Sequence, residues 1–223
     1  MGKRSTLFIK LKIKKPWDHL LDFFFERIEC PACRCESAGL CSVCRSEVRG
    51  WGEFTFEGIN GHAMAHYSGV AKKLIYGFKK RLSFDAMESL FLVMDDWLMK
   101  NQLEDYDYII PVTSIGSNLK SRGFDPAVLL AEHLGHKTGL PILNCILNKG
   151  KKEHKSLNYS QRLAASKDSF QIRPSFKKKI KDRRILLFDD VMTSGATILA
   201  VAKLVESCGA KQIEFLVLER STG

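Results

Sequence analysis

Asp189 and Asp190 stand side by side in this chain, followed by Val191 and Met192 and then by Thr193, Ser194, Gly195, Ala196 and Thr197. Adjacent carboxylates accept hydrogen bonds from neutral hydroxyls or hold a divalent metal. A Thr/Ser/Gly loop that opens a helix turns backbone N–H groups and hydroxyls toward one spot. The helix N-terminus adds partial positive charge there. A phosphate monoester fits that spot, and a phosphate site beside a diol site describes a ribose 5-phosphate. A second set of reactive residues is sulfur-rich: Cys30-Pro31-Ala32-Cys33 and Cys41-Ser42-Val43-Cys44. Each C-x-x-C pair bends two thiolates around one ion. Two pairs give tetrahedral sulfur coordination suited to structural Zn²⁺, with no position left open for catalysis. Cys35 lies between the pairs as a spare that is able to substitute for a ligand. Cys145 and Cys208 sit among apolar residues and read as buried, inert thiols.

The elements that position these groups follow from hydrophobic patterning. Residues 185–188 are continuously apolar, as in a strand buried on both faces. After the loop, Ile198, Val201, Ala202, Leu204 and Val205 give a helix face, Gly209 a stop, and 213–218 a second strand, completing a βαβ unit. Upstream, 106–112 reads as the first core strand. The loop after it carries Thr113, Ser114, Lys120, Arg122 and Gly123 and is a second candidate anion site. Asp125 and Pro126 are cap and first-turn residues of a helix over 127–134, and 140–147 is a further strand. Residues 149–170 are basic, polar and long enough for a lid over the site. Apolar helical spacing marks 70–78 and 87–98; Lys79 is expected on a solvated face, with a place facing phosphate as the alternative. Residues 51–64 read as a link with a hairpin, 7–13 as a short strand, and 18–28 as an amphipathic helix. The expected fold class is α/β, a parallel sheet flanked by helices. The expected units are 1–28, a basic strand and helix; 29–50, a zinc ribbon; and 51–223, the main domain.

Formal net charge is +10, from 35 Lys and Arg against 25 Asp and Glu. Basic residues cluster at 10–15, 149–155 and 177–184. Such a balance favours anionic partners: nucleic acid, a phosphorylated ligand or an anionic membrane surface. Nothing resembles 18 uninterrupted apolar residues, so no integral membrane segment is expected. Lys10, Lys12, Lys14 and Lys15 interrupt the apolar residues of the N-terminus, which therefore has no signal-peptide core. A cytoplasmic location is the expectation, with a position peripheral to the inner membrane as its variant.

The stretch from Ile185 to Thr197 resembles the phosphoribosyl pyrophosphate (PRPP) signature of type I phosphoribosyltransferases: four apolar residues, two acidic, two mostly apolar, then a Thr/Ser/Gly loop. The resemblance implies that Asp189 and Asp190 bind the ribose hydroxyls, that Thr193 to Thr197 bind the 5-phosphate, and that Mg²⁺ accompanies PRPP. It also assigns Thr113, Ser114, Lys120 and Arg122 to the loop that cradles pyrophosphate. Purine-salvage members carry an Asp where Thr193 stands and use it at the base; Thr193 cannot accept a proton in that way, and no general base is identified. The order of parts, a four-Cys ribbon ahead of this domain, is similar to the ComF family. Pro111-Val112 and Arg122-Gly123-Phe124-Asp125-Pro126-Ala127 match its pattern, as do Leu157, Arg162 and Phe170 in the insertion. His154 and Ala165 depart from it there. This resemblance implies a competence protein of natural transformation that handles imported single-stranded DNA in the cytosol, with DNA-uptake proteins as further partners. The alternative is an active phosphoribosyltransferase on an unidentified acceptor, without a DNA role.

Overall fold

The computed structural model describes residues 29–48, 50, 52–103, 105–113, 122–149 and 169–221. The strand and helix expected within 1–28 and the candidate lid at 150–168 lie outside them. Strand β6 (Arg184–Met192) is flanked by strands on both sides, and Ile185, Leu186, Leu187 and Phe188 are all buried. Alternation along the strand sends its apolar side chains to two cores. Leu186 and Phe188 join one, with helices α2 (Gly69–Arg81), α3 (Phe84–Leu98) and α4 (Pro126–Thr138). Ile185 and Leu187 join the other, with helix α6 (Ala196–Ser207).

Parallel to β6 run β3 (Tyr108–Pro111) on one side and β7 (Gln212–Arg220) on the other. The register sets Phe188 opposite Leu216 and Val191 opposite Glu219. Where 51–64 reads as a link with a hairpin, residues 52–66 form that hairpin, and its two strands join this sheet. Strand β2 (Ile59–His66) pairs parallel with β7, and β1 (Gly52–Phe56) pairs antiparallel with β2. The turn between them has Glu57 and Gly58 both at positive φ, 51° and 80°, the geometry that matches strand twist in a two-residue hairpin. The sheet order is β1-β2-β7-β6-β3. This is an α/β fold with a mostly parallel sheet between helices.

The helix boundaries follow local chemistry. The Ser83 hydroxyl accepts from the Ala86 amide at 3.2 Å and starts α3. The Asp125 carboxylate accepts from the Ala127 amide at 3.1 Å, with Pro126 in the first turn of α4. The strand expected over 140–147 is different. Pro141 has no N–H to give a ladder, and only a single bridge forms, between Ile142 and Ile109. The regular part is β4 (Ile146–Asn148), which pairs with β5 (Phe170–Ile172) in a separate two-stranded sheet. A short 3₁₀ turn (Pro174–Phe176) and helix α5 (Lys177–Ile180) then lead into β6. The Cys-rich segment carries helix α1 (Ser42–Glu47). Its Cys30, Ala32, Leu40 and Cys44 are buried in the same core as α2 and α3, and the Arg45 guanidinium is paired with Asp96 of α3. Among the described residues, no helix is long and apolar enough to cross a membrane.

Candidate functional site

The carboxyl ends of parallel strands are where open α/β sheets hold ligands, and the acid pair sits there, at the end of β6. Asp190 is buried and Asp189 half-buried. The Asp189 Oδ1 accepts the Asp190 amide at 2.8 Å. After Met192 the chain turns through Thr193, Ser194 and Gly195 into α6. Gly195 has φ +73°, and a Cβ there would stand 2.5 Å from the Phe56 ring and 2.7 Å from the Met192 methyl. Both the backbone conformation and the space demand glycine. No side chain caps α6, so its first amides are available to an anion. Val191 packs against the α2–α3 core, and Met192 is buried with its carbonyl accepting the Ser221 amide at 3.0 Å.

Of the second predicted loop, Thr113 and Arg122 fall among the described residues, and Ser114 and Lys120 lie outside them. Thr113 stands just past β3, where its hydroxyl donates to the Ile146 carbonyl at 3.3 Å and its carbonyl accepts from Asn148 at 3.1 Å. Arg122 borders an open apolar pocket formed with Phe78, Phe84, Met87 and Phe124. Its positive charge also acts on Lys79.

Lys79 corrects the expectation of a solvated side chain. It leaves the exposed face of α2 and meets Asp190, with Nζ 2.6 Å from Oδ1. Burial works against the ammonium, but the charges of Asp190 and Asp189 outweigh it and raise its pKa above the ordinary lysine value. Asp189 is pushed well above the usual carboxylate range, first by burial and then by the Asp190 charge, with Lys79 opposing. Glu219 on β7 also went unnoticed in the sequence. It is 1% exposed, and among the described residues neither carboxyl oxygen has a hydrogen-bond partner. Burial, then the charge of Asp190, pushes it up to about 9 against the opposing effect of Lys79. The available signal was its place directly after the apolar run Phe215–Leu218, inside a strand that had to be buried.

The cysteines converge. The sulfurs of Cys30, Cys33, Cys35 and Cys41 lie within 4.8 Å of one another, so the exposed spare Cys35 belongs to the close set. Cys44, the predicted fourth ligand, is buried, and its thiol interacts with those of Cys33, Cys41 and Cys30. Cys33 and Cys41 Sγ stand 3.7 Å apart. A tetrahedral ion with 2.3 Å bonds to sulfur needs edges of about 3.8 Å, so the donor set fits a metal ion of that kind. The amides of Cys41 and Cys44 point at the Cys30 and Cys41 sulfurs at 3.5 and 3.4 Å. Burial works against a Cys30 thiolate, but the amides of Cys41, Cys33 and Ala32 outweigh it and bring its pKa down to about 6. Neighbouring thiols of Cys33 and Cys41 push Cys35 up to about 12. Cys145 is buried and pushed up to about 11 by burial, as expected of an inert thiol; Cys208 is half-buried.

Glu219 gives a stability test. Its ordinary pKa is 4.5 and its folded value is about 9. Between these values the unfolded chain ionises the group while the folded chain keeps its proton. The stability from burying the neutral acid is therefore full below pH 4.5 and is lost progressively until the pH passes about 9. Glu219→Gln cannot ionise, so its stability advantage over the wild type should widen as pH rises through that window. Urea denaturation at a series of pH values reads the gap, and a constant gap would contradict a buried neutral acid.

The phosphoribosyl transferase domain family model matches residues 119–221. Competence protein F of Haemophilus influenzae is 28% identical over 81% of this chain and 78% of its own length. Competence protein ComFC of Streptococcus pneumoniae is 28% identical over 89% of this chain and 85% of its own. An adenine phosphoribosyltransferase of Alkaliphilus oremlandii is 30% identical over 61% of this chain and 71% of its own. The competence proteins thus align over more of the chain than this transferase does, and the chain belongs to the ComF family of phosphoribosyltransferase-domain proteins.

Proposed function

We propose that this chain is a cytoplasmic, competence-associated protein that binds PRPP with Mg²⁺ and handles single-stranded DNA. The observation that carries the PRPP reading is the turn at Gly195, where a buried acid pair gives way to an uncapped helix N-terminus. In this reading the α6 amides and the hydroxyls of Thr193, Ser194 and Thr197 hold the 5-phosphate. Asp189 and Asp190 accept from the ribose diol. The pyrophosphate is assigned to Thr113, Ser114, Lys120 and Arg122, and Mg²⁺ neutralises its charge. The names of the competence relatives support the cellular role, with DNA-uptake proteins as partners. The proposed units are 1–28, a zinc ribbon at 29–50, and the transferase-like domain at 51–223. A second reading, an active transferase on an unidentified acceptor, is favoured by the open apolar pocket beside Arg122, whose Phe78, Phe84 and Phe124 offer aromatic faces to an acceptor.

For DNA the support is charge and its placement. On the outer face of α2, Lys72, Tyr76 and Lys80 are exposed at i, i+4 and i+8, flanked by Lys73. Tyr76 is 53% exposed. Cations beside an exposed ring suit phosphate contact with base stacking. The 149–155 cluster lies outside the described residues except for Lys149.

Calorimetry should detect Mg²⁺-dependent PRPP binding by the wild type. The double change Asp189→Ala, Asp190→Ala removes the Asp190 carboxylate, a charge-assisted acceptor of about 1.5–3 kcal/mol, together with the Asp189 acceptor, so binding should weaken well over tenfold. Equal affinity in both proteins would reduce the acid pair to a structural cap.

Metal analysis of fresh protein should find zinc bound through Cys30, Cys33, Cys41 and Cys44. Cys44→Ser should lose more zinc than Cys35→Ser, because Cys44 belongs to a C-x-x-C pair and is buried. The opposite order would assign Cys35 as the ligand, and absence of zinc from the wild type would end the assignment.

Fluorescence anisotropy with an oligo-dT strand should show binding that weakens steeply with salt. Lys72→Ala with Lys80→Ala should make that dependence shallower. Binding indifferent to salt, or none at low salt, would remove the DNA role.

A further inference from the structure

The buried carboxyls of Asp190 and Glu219 both feel the charge of one largely shielded ammonium at the end of the sheet. Lys79 Nζ is paired with Asp190 Oδ1 at 2.6 Å, and both side chains are largely shielded from solvent. Glu219 sits opposite Val191 of β6 and Ala65 of β2, and its two oxygens have no partner. The charges that reach it are those of Asp190 and Lys79. A carboxyl left in this state is costly, and it is tolerated in neutral form. The acid pair is also partly engaged before any ligand arrives. Asp189 Oδ1 holds the Asp190 amide, and Asp190 Oδ1 holds Lys79.

We propose that Glu219 is a positioning residue of the PRPP site, the second berth of the Lys79 ammonium, taken up when a ribose hydroxyl claims Asp190. The proposal rests on the reading above that Asp190 binds the ribose. Moving the ammonium frees the Asp190 oxygen for the diol. It also gives Glu219 its missing partner, and the cation stays in the same buried space, so it is not rehydrated. As the ammonium arrives, the Glu219 carboxyl releases its proton to solvent; no other bond is made or broken. The titratable groups around it are Asp189 and Asp190 on β6, Lys79 on α2 and His66 on β2, the last opposite Arg220.

The test uses the full chain with Mg²⁺ and PRPP. Glu219→Gln keeps the size of the side chain but cannot ionise, so it offers an ammonium no ion pair. It should fold, and it should bind PRPP about tenfold more weakly than the wild type. Calorimetry in buffers of different ionisation enthalpy should count fewer protons released by the variant. In ¹⁵N-lysine spectra, with Lys79→Arg identifying the signal, the Lys79 resonance should shift on binding in the wild type and stay in place in Glu219→Gln. A wild type that binds PRPP together with a variant equal to it in affinity, proton count and lysine shift would overturn the role of Glu219 alone. A wild type that binds no PRPP would overturn the site reading and this inference with it.

Discussion

Carboxylates on the end of a strand buried on both faces need a counter-charge, and Lys79 supplies it from α2. A buried ion pair is held only where both partners are fixed, because the desolvation cost is recovered by geometry. Much of the architecture on that side of the sheet serves this placement. Val70, Leu74 and Phe78 press α2 onto the core shared with Leu186 and Phe188, which brings Lys79, the residue after Phe78, to the end of β6. The positive φ of Leu82 and the Ser83 cap then turn the chain directly into α3.

The Cys-rich segment enters through the same helix. Cys30, Ala32, Leu40 and Cys44 share the α2–α3 core, and Arg45 is tied to Asp96 of α3. A metal that orders these thiols would therefore also steady the helix that holds Lys79. In this arrangement the Cys-rich segment packs as a buttress against α2 and α3 and not as a separate bead, which fits a sulfur set suited to a structural metal.

Local patterns made part of this legible. The apolar run 185–188, the acid pair and the Thr/Ser/Gly turn are contiguous, so strand, site and helix start were read together. The Asp125-Pro126 start of α4 was legible for the same reason. Lys79 was not, because its partner lies far along the chain and its neighbours Lys72, Lys73 and Lys80 do face solvent. Hairpin residues 52–66 look like a Gly-rich link until β7 is available to pair with them. At 140–147 the apolar composition suggested a full strand, but Pro141 removes a donor and leaves only the bridge at Ile142. Cys35 looked spare from spacing alone; the positive φ of Arg34 and the bond from the Cys30 amide to the Cys35 carbonyl fold it back among the other thiols.

Charge balance explains why an otherwise basic protein carries such a site. Asp189, Asp190 and Glu219 converge on a single lysine, although the chain as a whole has a net charge of +10. Burial answers the local excess by holding Asp189 and Glu219 toward their neutral forms. A neutral carboxyl can donate as well as accept a hydrogen bond, whereas an ionised one only accepts. The end of the sheet is thus close to electrically balanced. The proposed ligand, with hydroxyls at one end and phosphates at the other, would meet acceptors at the acid pair and uncapped amides at α6. The two halves are separated by the Gly195 turn, whose backbone any side chain would push into Phe56.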